Sequence, residues 1–191
     1  MSARSTALCA LIATRRQGAW SDGILKEYVQ RDRLERRDAA LAAALTYGVM
    51  QNRMLLDHYL EQVVSGGLSR LQPAMLDILR LGAYQILLLD KIPDSAAVNE
   101  AVEQTKRYVN QKAAGMTNGA LRALSRKKGS LNEPRDLATT YSHPQALVDL
   151  LTDSVGRGQI ESFLRADNEP APTCLQINPL LSDPDEIERA L

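Results

Sequence analysis

The sequence predicts an all-α bundle followed by a smaller unit, and three observations carry that prediction. The first is Leu71–Asp90, LQPAMLDILRLGAYQILLLD, which is apolar from Met75 to Leu89 apart from Asp77, Arg80, Tyr84 and Gln85. It is too long for an ordinary strand and poor in β-branched residues, so it reads as a helix buried on most of its surface. The second is a set of stretches on both sides with apolar residues three and four apart. The third is that these stretches stop at Gly, Pro, Asn and Ser, the residues that cap or break helices. Asp77 and Arg80 interrupt the central run, which argues against a membrane span.

Taken in order, Ser5–Gln17 places Leu8, Leu11 and Ile12 on one helical face, with Ala7 and Ala10 beside them. Cys9 fits that face as a small structural side chain. Arg15 and Arg16 suit the last turn, and Gly18 suits the stop. Ser21 or Asp22 can cap a short helix through Val29, with Ile24, Leu25, Tyr28 and Val29 inward. Arg31–Asp38, RDRLERRD, interleaves four arginines with three acids. It reads as a solvated linker and helix start or as part of an RNA surface; the interleaving weakens the second reading. A long helical pattern begins at Asp38, with Leu41, Ala44, Leu45, Gly48 and Val49 on one side and Gly48 a candidate point of close contact. Leu56, Tyr59, Leu60, Val63 and Val64 continue it or follow a kink near Gln51–Asn52, and Ser65–Gly67 ends it. His58 stands alone and reads as structural.

Pro73 suits the first turn of the central helix. After the turn at Lys91–Asp94, Asp94 or Ser95 can cap a helix that buries Val98, Ala101, Val102, Thr105 and Val109, with Glu103 and Arg107 as an i,i+4 pair. Gly115 is expected to separate it from a helix whose inward face is Thr117, Ala120, Leu121 and Leu124. Lys106, Arg107, Lys112, Arg122, Arg126, Lys127 and Lys128 form the densest basic stretch. They can hold phosphates or merely complement a helix end, and no aromatic residue is counted among them as a base-stacking group.

Gly129–Thr140 reads as a linker. A helix is expected from His143-Pro144, with Pro144 at its first position and Leu147, Val148, Leu150 and Leu151 apolar. Gly156-Arg157-Gly158 separates it from Gln159–Arg165, with Ile160, Phe163 and Leu164 inward. That glycine pair follows a helix and not a strand, so it is no nucleotide loop. Thr173–Asn178 is a strand candidate, Pro179–Pro184 a loop, and Asp185–Leu191 the start of a helix. One strand and one helix cannot complete a layered unit. The organisation expected is therefore a helical domain over 1–130, a linker over 131–140, and an incomplete connector over 141–191 that begins an α/β, RRM-like unit.

The 191 residues carry no formal net charge, yet 1–130 hold 19 Lys+Arg against 12 Asp+Glu, and 131–191 hold 4 against 11. A basic domain can attract a polyanion within a neutral chain. Cys9 and Cys174 make no ligand-like pair, which argues against a disulfide framework or a zinc site. No apolar targeting segment is evident, so a cytoplasmic protein is the default expectation.

These residues bear a family resemblance. Arg36–Leu60, Leu79–Tyr108 and Gly115–Leu124 (GMTNGALRAL) resemble the NusB-type all-helical RNA-binding domain. Tyr141–Leu151 (YSHPQALVDLL) and Asn168–Asn178 (NEPAPTCLQIN) resemble the segment that joins such a domain to a methyltransferase. The combination is similar to the start of the RsmB (Sun/Fmu) family of small-subunit ribosomal RNA cytosine-C5 methyltransferases. A free-standing NusB antitermination factor is not expected to carry Tyr141–Asn178.

The resemblance implies a chemistry whose parts lie elsewhere. Family enzymes add a cysteine thiolate to cytosine C6, transfer methyl from S-adenosylmethionine to C5, and use a second cysteine for release. Neither a Pro-Cys pair nor a strand–Gly-rich turn–helix run is found here, and Cys174 follows Thr173. The chain alone is thus expected to hold no catalytic residue, no cofactor-binding residue and no metal. S-adenosylmethionine is implied only for the longer family protein. The implied role is to position structured small-subunit rRNA for a downstream catalytic domain. Charge clustering nominates Arg15, Arg16, Lys106, Arg107, Lys112, Arg122, Arg126, Lys127 and Lys128 as RNA contacts. The alternatives are a stand-alone transcription antitermination-like RNA binder and a non-catalytic helical adaptor.

Overall fold

Ser2 sets the first helix. Its Oγ accepts from the Ser5 N–H at 3.2 Å, helix α1 runs Ala3–Gln17, and Gly18 ends it at φ 59°. The computed structural model describes residues 1–18, 21–171, 174, 176–178, 180–181 and 183–190. Helices follow at Ser21–Arg31 (α2), Arg36–Gln51 (α3), Arg53–Glu61 (α4), Pro73–Leu88 (α5), Asp94–Tyr108 (α6) and Ala114–Lys127 (α7). Single 3-10 turns lie at Leu68–Arg70 and Gln111–Ala113. Four further helices complete the described elements: Leu137–Tyr141 (α8), Gln145–Val155 (α9), Ile160–Asp167 (α10) and Pro184–Ala190 (α11). None of the described helices is long and apolar enough to cross a membrane.

Helix α5 is central because its apolar residues leave it no polar side to show. It packs against α1, α3, α4, α6 and α7. Ile78, Leu79, Leu81 and Ile86 are fully buried with Leu8, Leu45, Leu56, Leu60, Leu121 and Leu124 from its neighbours. Pro73 stands at its first position, where the missing N–H breaks no bond. Two glycines allow close approach: a Cβ on Gly48 would overlap the Tyr84 ring, and one on Gly82 would stand 2.6 Å from Leu121 Cδ1. Alanines do the same for α1, α2 and α3, where Ala3, Ala10, Ala13 and Ala42 pack around Ile24 and Leu25.

Helices α3 and α4 are separate. The break falls at Asn52, whose Nδ2 donates to the Gly48 carbonyl at 2.9 Å. Helix α4 then carries the C-terminal helices. Met54 packs against Ala138, Val148, Ile160 and Leu164, and the Leu55 N–H donates to Ser142 Oγ at 3.0 Å. Gln62 bonds the backbone of Asn132 in both directions, and Gln51 Nε2 donates to the Asn168 carbonyl at 2.9 Å. His143 is buried, with Nδ1 donating to the Tyr141 carbonyl and Nε2 2.9 Å from Asp167.

Several local expectations change. No β-strand occurs among the described residues, so the expected start of an α/β, RRM-like unit is not present there. Cys174, Gln176, Ile177 and Asn178 lie outside any regular element, while Thr173 and Leu175 of that expected strand fall outside the described residues. The physical reason is pairing: a strand needs a neighbour for its backbone groups, and no described segment offers one. Asp94 does not cap α6; Pro93 holds that position, and the Asp94 carboxylate accepts from Ser125 Oγ at 2.6 Å. Glu103 pairs with Lys106 at 2.6 Å and not with Arg107. Gly115 lies inside α7, with the separating turn at Gln111–Ala113. Pro144 precedes α9 as its cap residue, and α8 begins within the stretch read as a linker and ends one residue past it, at Tyr141. Leu147, Leu150 and Phe163 face outward.

Candidate nucleic-acid interface

Adjacent residues at the end of α1 face different partners, because each helical step turns the side chain by about 100°. Arg15 Nε donates to Asp77 Oδ2 at 2.9 Å on one side. Arg16 lines a cavity of about 270 Å³ on another, with Cys9, Tyr28, Arg31 and Tyr108. Tyr108 ends α6. Its hydroxyl lies 3.4 Å from Cys9 Sγ, and the Arg107 guanidinium sits 5.3 Å from its ring centre. Burial, and then the thiol, push the Tyr108 pKa up to about 12, so the ring keeps its proton at neutral pH. Arg31 lies 4.1 Å over the Tyr28 ring. Arg16, Arg31 and Arg107 therefore meet two tyrosines at one end of the bundle.

Arg31 is fixed from behind. It donates twice to Asp32, at 2.8 and 3.0 Å, and Thr6 Oγ1 donates to the same carboxylate at 2.7 Å. The Arg31 bond first, and the Thr6 bond after it, hold the Asp32 pKa below its ordinary 3.8. A lowered carboxylate pKa contributes stability above the unfolded value and loses it as the pH falls through the folded one. Asp32→Asn should therefore lower the unfolding free energy by about 1 kcal/mol at neutral pH. The difference should shrink as the pH drops below 3.8. Urea titrations of both proteins across acid pH read this directly, and a difference that stays constant would remove Asp32 as its source.

The other nominated residues divide into two places. Lys106 pairs with Glu103, and exposed Lys112 sits in the turn that Asn110 holds by accepting from the Ala113 N–H. These two belong with Arg107 at the tyrosine end. Arg122 donates to Asn118 Oδ1 at 2.8 Å and shares a second cavity, about 230 Å³, with Arg126 and Asp94. Lys127 and Lys128 are exposed beyond it at the end of α7. Helices α6 and α7 run antiparallel, since Asp94 meets Ser125 while Thr105 meets Thr117 at 2.8 Å. The 14 residues of α7 hold the two basic clusters roughly 20 Å apart.

Sequence reasoning missed Tyr28 and Tyr108. The available signals were the Arg107–Tyr108 adjacency and the i,i+3 spacing of Tyr28 and Arg31. Arg15 and Arg16 are set apart: the first is committed to Asp77, the second is open to the tyrosine cavity. Among the described residues, no three His, Cys, Asp or Glu side chains come together as a metal site. Cys174 is exposed and Cys9 half-buried.

The sequence model of the NusB family matches residues 1–126. A probable ribosomal RNA small subunit methyltransferase B of Bacillus subtilis is 34% identical over 97% of this chain. The chain spans only 42% of that relative's length. A transcription antitermination protein NusB of Ruminiclostridium cellulolyticum is 34% identical over 131 residues, 68% of this chain and 89% of its own length. Among solved structures, antitermination factors NusB and NusE in complex with dsRNA include a chain of the same fold. Its TM-score is 0.59 at 24% identity, covering 65% of this chain and 93% of that one.

Proposed function

The chain belongs to the NusB family, and from that premise we propose that it is an RNA-binding helical module. The observation that carries the reading is the meeting of Arg16, Arg31 and Arg107 with Tyr28 and Tyr108. Guanidinium groups bind phosphate, and tyrosine rings offer unpaired bases a stacking face. Lys106 and Lys112 extend the positive surface beside them. Arg122, Arg126, Lys127 and Lys128 form a second contact that a structured RNA can reach by spanning the bundle.

The test is binding of structured RNA by anisotropy at several salt concentrations. Replacing Arg16, Lys106, Arg107 and Lys112 by alanine should weaken binding by at least about tenfold and reduce the salt slope by roughly one per lost phosphate contact. Replacing Arg122, Arg126, Lys127 and Lys128 should have the smaller effect, since the cavity that Arg122 and Arg126 share is lined by no tyrosine. Unchanged affinity and slope in the first variant would overturn the assignment.

Two finer readings follow. The first is a stand-alone antitermination-type RNA binder. It is supported by the antitermination protein of which this chain covers 89%, and by the fold shared with the NusB–NusE–dsRNA complex. The second is the RNA-positioning part of an S-adenosylmethionine-dependent 16S rRNA cytosine-C5 methyltransferase. It is supported by the named methyltransferase whose match extends past residue 126 through the C-terminal helices. In that reading the cofactor and the nucleophile are supplied by a catalytic domain that follows. Methyl transfer to deproteinised ribosomal RNA by the native gene product supports the second. A native product of this length, inactive in that assay, supports the first.

A further inference from the structure

We infer that the outer side of α9 and α10, centred on Leu147, Leu150 and Phe163, is the docking face for the catalytic domain that follows residue 191. This inference rests on the methyltransferase reading. Leu147 is 39% exposed, Leu150 63% and Phe163 41%. Leu147 and Leu150 lie one turn apart on α9, and Phe163 lies on α10, which packs against it. Below them only Ala138, Val148, Ile160 and Leu164 are buried, with Leu151 and Val155 half-buried. These helices thus spend one apolar side on α8 and on Met54 of α4 and keep a second that no described element covers. Uncovered large apolar side chains on neighbouring helices mark an interaction surface.

Two observations choose the occupant. The face lies outside the 1–126 family match, within the stretch shared with the methyltransferase relative. More than half of that relative's length lies outside the match, whereas the antitermination protein is nearly exhausted by it. The second observation is charge. Helices α9 and α10 carry exposed Asp149, Asp153, Glu161 and Asp167 against one cation, Arg165, which pairs with Glu161 at 3.3 Å, so the balance is acidic. An acidic rim repels RNA phosphates, and in a symmetric pair of copies it would meet itself. The partner it fits is a protein face with an apolar centre and a basic rim.

The experiment is hydrogen exchange of the α9 and α10 amides in the full-length gene product and in residues 1–191. Docking should slow exchange over 145–167 by at least about tenfold in the full-length protein. Leu150→Glu with Phe163→Glu should restore the faster rate; both positions are exposed, so the helices should survive the changes. Equal exchange in the two proteins, with methyl transfer intact, would overturn the docking face and leave the methyltransferase reading standing. A native product without a further domain would overturn that reading and the occupant with it. A concentration-dependent dimer of residues 1–191 that the double variant abolishes would assign the face to a second copy and overturn the inference.

Discussion

Leu121→Ala should lower the unfolding free energy by about 2–5 kcal/mol, and Gly82→Ala should change sign in its presence. Leu121 is fully buried, and its Cδ1 stands 2.6 Å from where a Gly82 Cβ would lie. In the wild-type protein the added methyl forces α5 and α7 apart, an overpacking cost of about 1–3 kcal/mol. The helix-propensity gain of about 1 kcal/mol offsets only part of this. Once Leu121 is alanine, the methyl enters the space that the leucine occupied, and the propensity gain remains. Gly119→Ala is the control, because nothing lies within 4 Å of the new Cβ on α7; it should show the propensity gain alone. Urea unfolding of the four proteins of the cycle measures the coupling. Additive effects at 82 and 121 would mean that the helices do not meet there.

That contact also shows which parts of the fold were legible. The central helix was readable because its apolar residues leave only one solution, burial on nearly all sides. The close approach at Gly48 was readable because a glycine inside an apolar helical pattern costs stability unless something packs on it. The side-chain partners were not readable. Asp94 has the identity of a cap, yet its carboxylate turns to Ser125, 31 residues away. Glu103 had two lysine or arginine neighbours within helical reach, and the closer Lys106 took it. Thr173–Asn178 has the composition of a strand, but pairing is a property of two segments and composition reports one. Leu147, Leu150 and Phe163 show the same limit from the other side: periodicity marks them as apolar, and only the assembled chain decides whether a cover exists.

The candidate interface was half legible for a related reason. Positive charge clusters along the chain, so Arg16, Lys106, Arg107 and Lys112 could be nominated from sequence. The tyrosines beside those charges, on which the proposed base stacking rests, come from α2 and α6, and Arg16 from α1. Their meeting is a tertiary event. Arg15 carries the same charge as Arg16 and the same sequence signal, but its partner is 62 residues away.

The Arg15 partner belongs to a network whose costliest loss is not its most buried carboxylate. Arg80 holds Asp57 through two bonds, at 2.7 and 2.6 Å, and lies 3.7 Å from Asp77. The Asp77 side chain is 7% exposed, Asp57 29% and Arg80 11%. Burial alone would rank Asp77 as the costlier loss. The partners left behind decide otherwise. Without Asp77, Arg80 keeps both bonds to Asp57, and Arg15, a third exposed, turns to water. Without Asp57, a nearly buried guanidinium loses both of its close bonds. Asp57→Ala should therefore cost about 3 kcal/mol, and Asp77→Ala about 1 kcal/mol, at neutral pH. Acid should bring the two costs closer together. Burial, outweighing Arg15 and Arg80, raises the Asp77 pKa above its ordinary 3.8. A raised carboxylate pKa contributes most below the unfolded value, and that contribution is lost as the pH rises through the folded one. The gap between wild type and Asp77→Ala should accordingly narrow as the pH climbs above 3.8. Denaturation of both variants from acid to neutral pH measures the order and the slope. An Asp77→Ala cost exceeding that of Asp57→Ala at neutral pH would make burial, and not the stranded arginine, the term that decides.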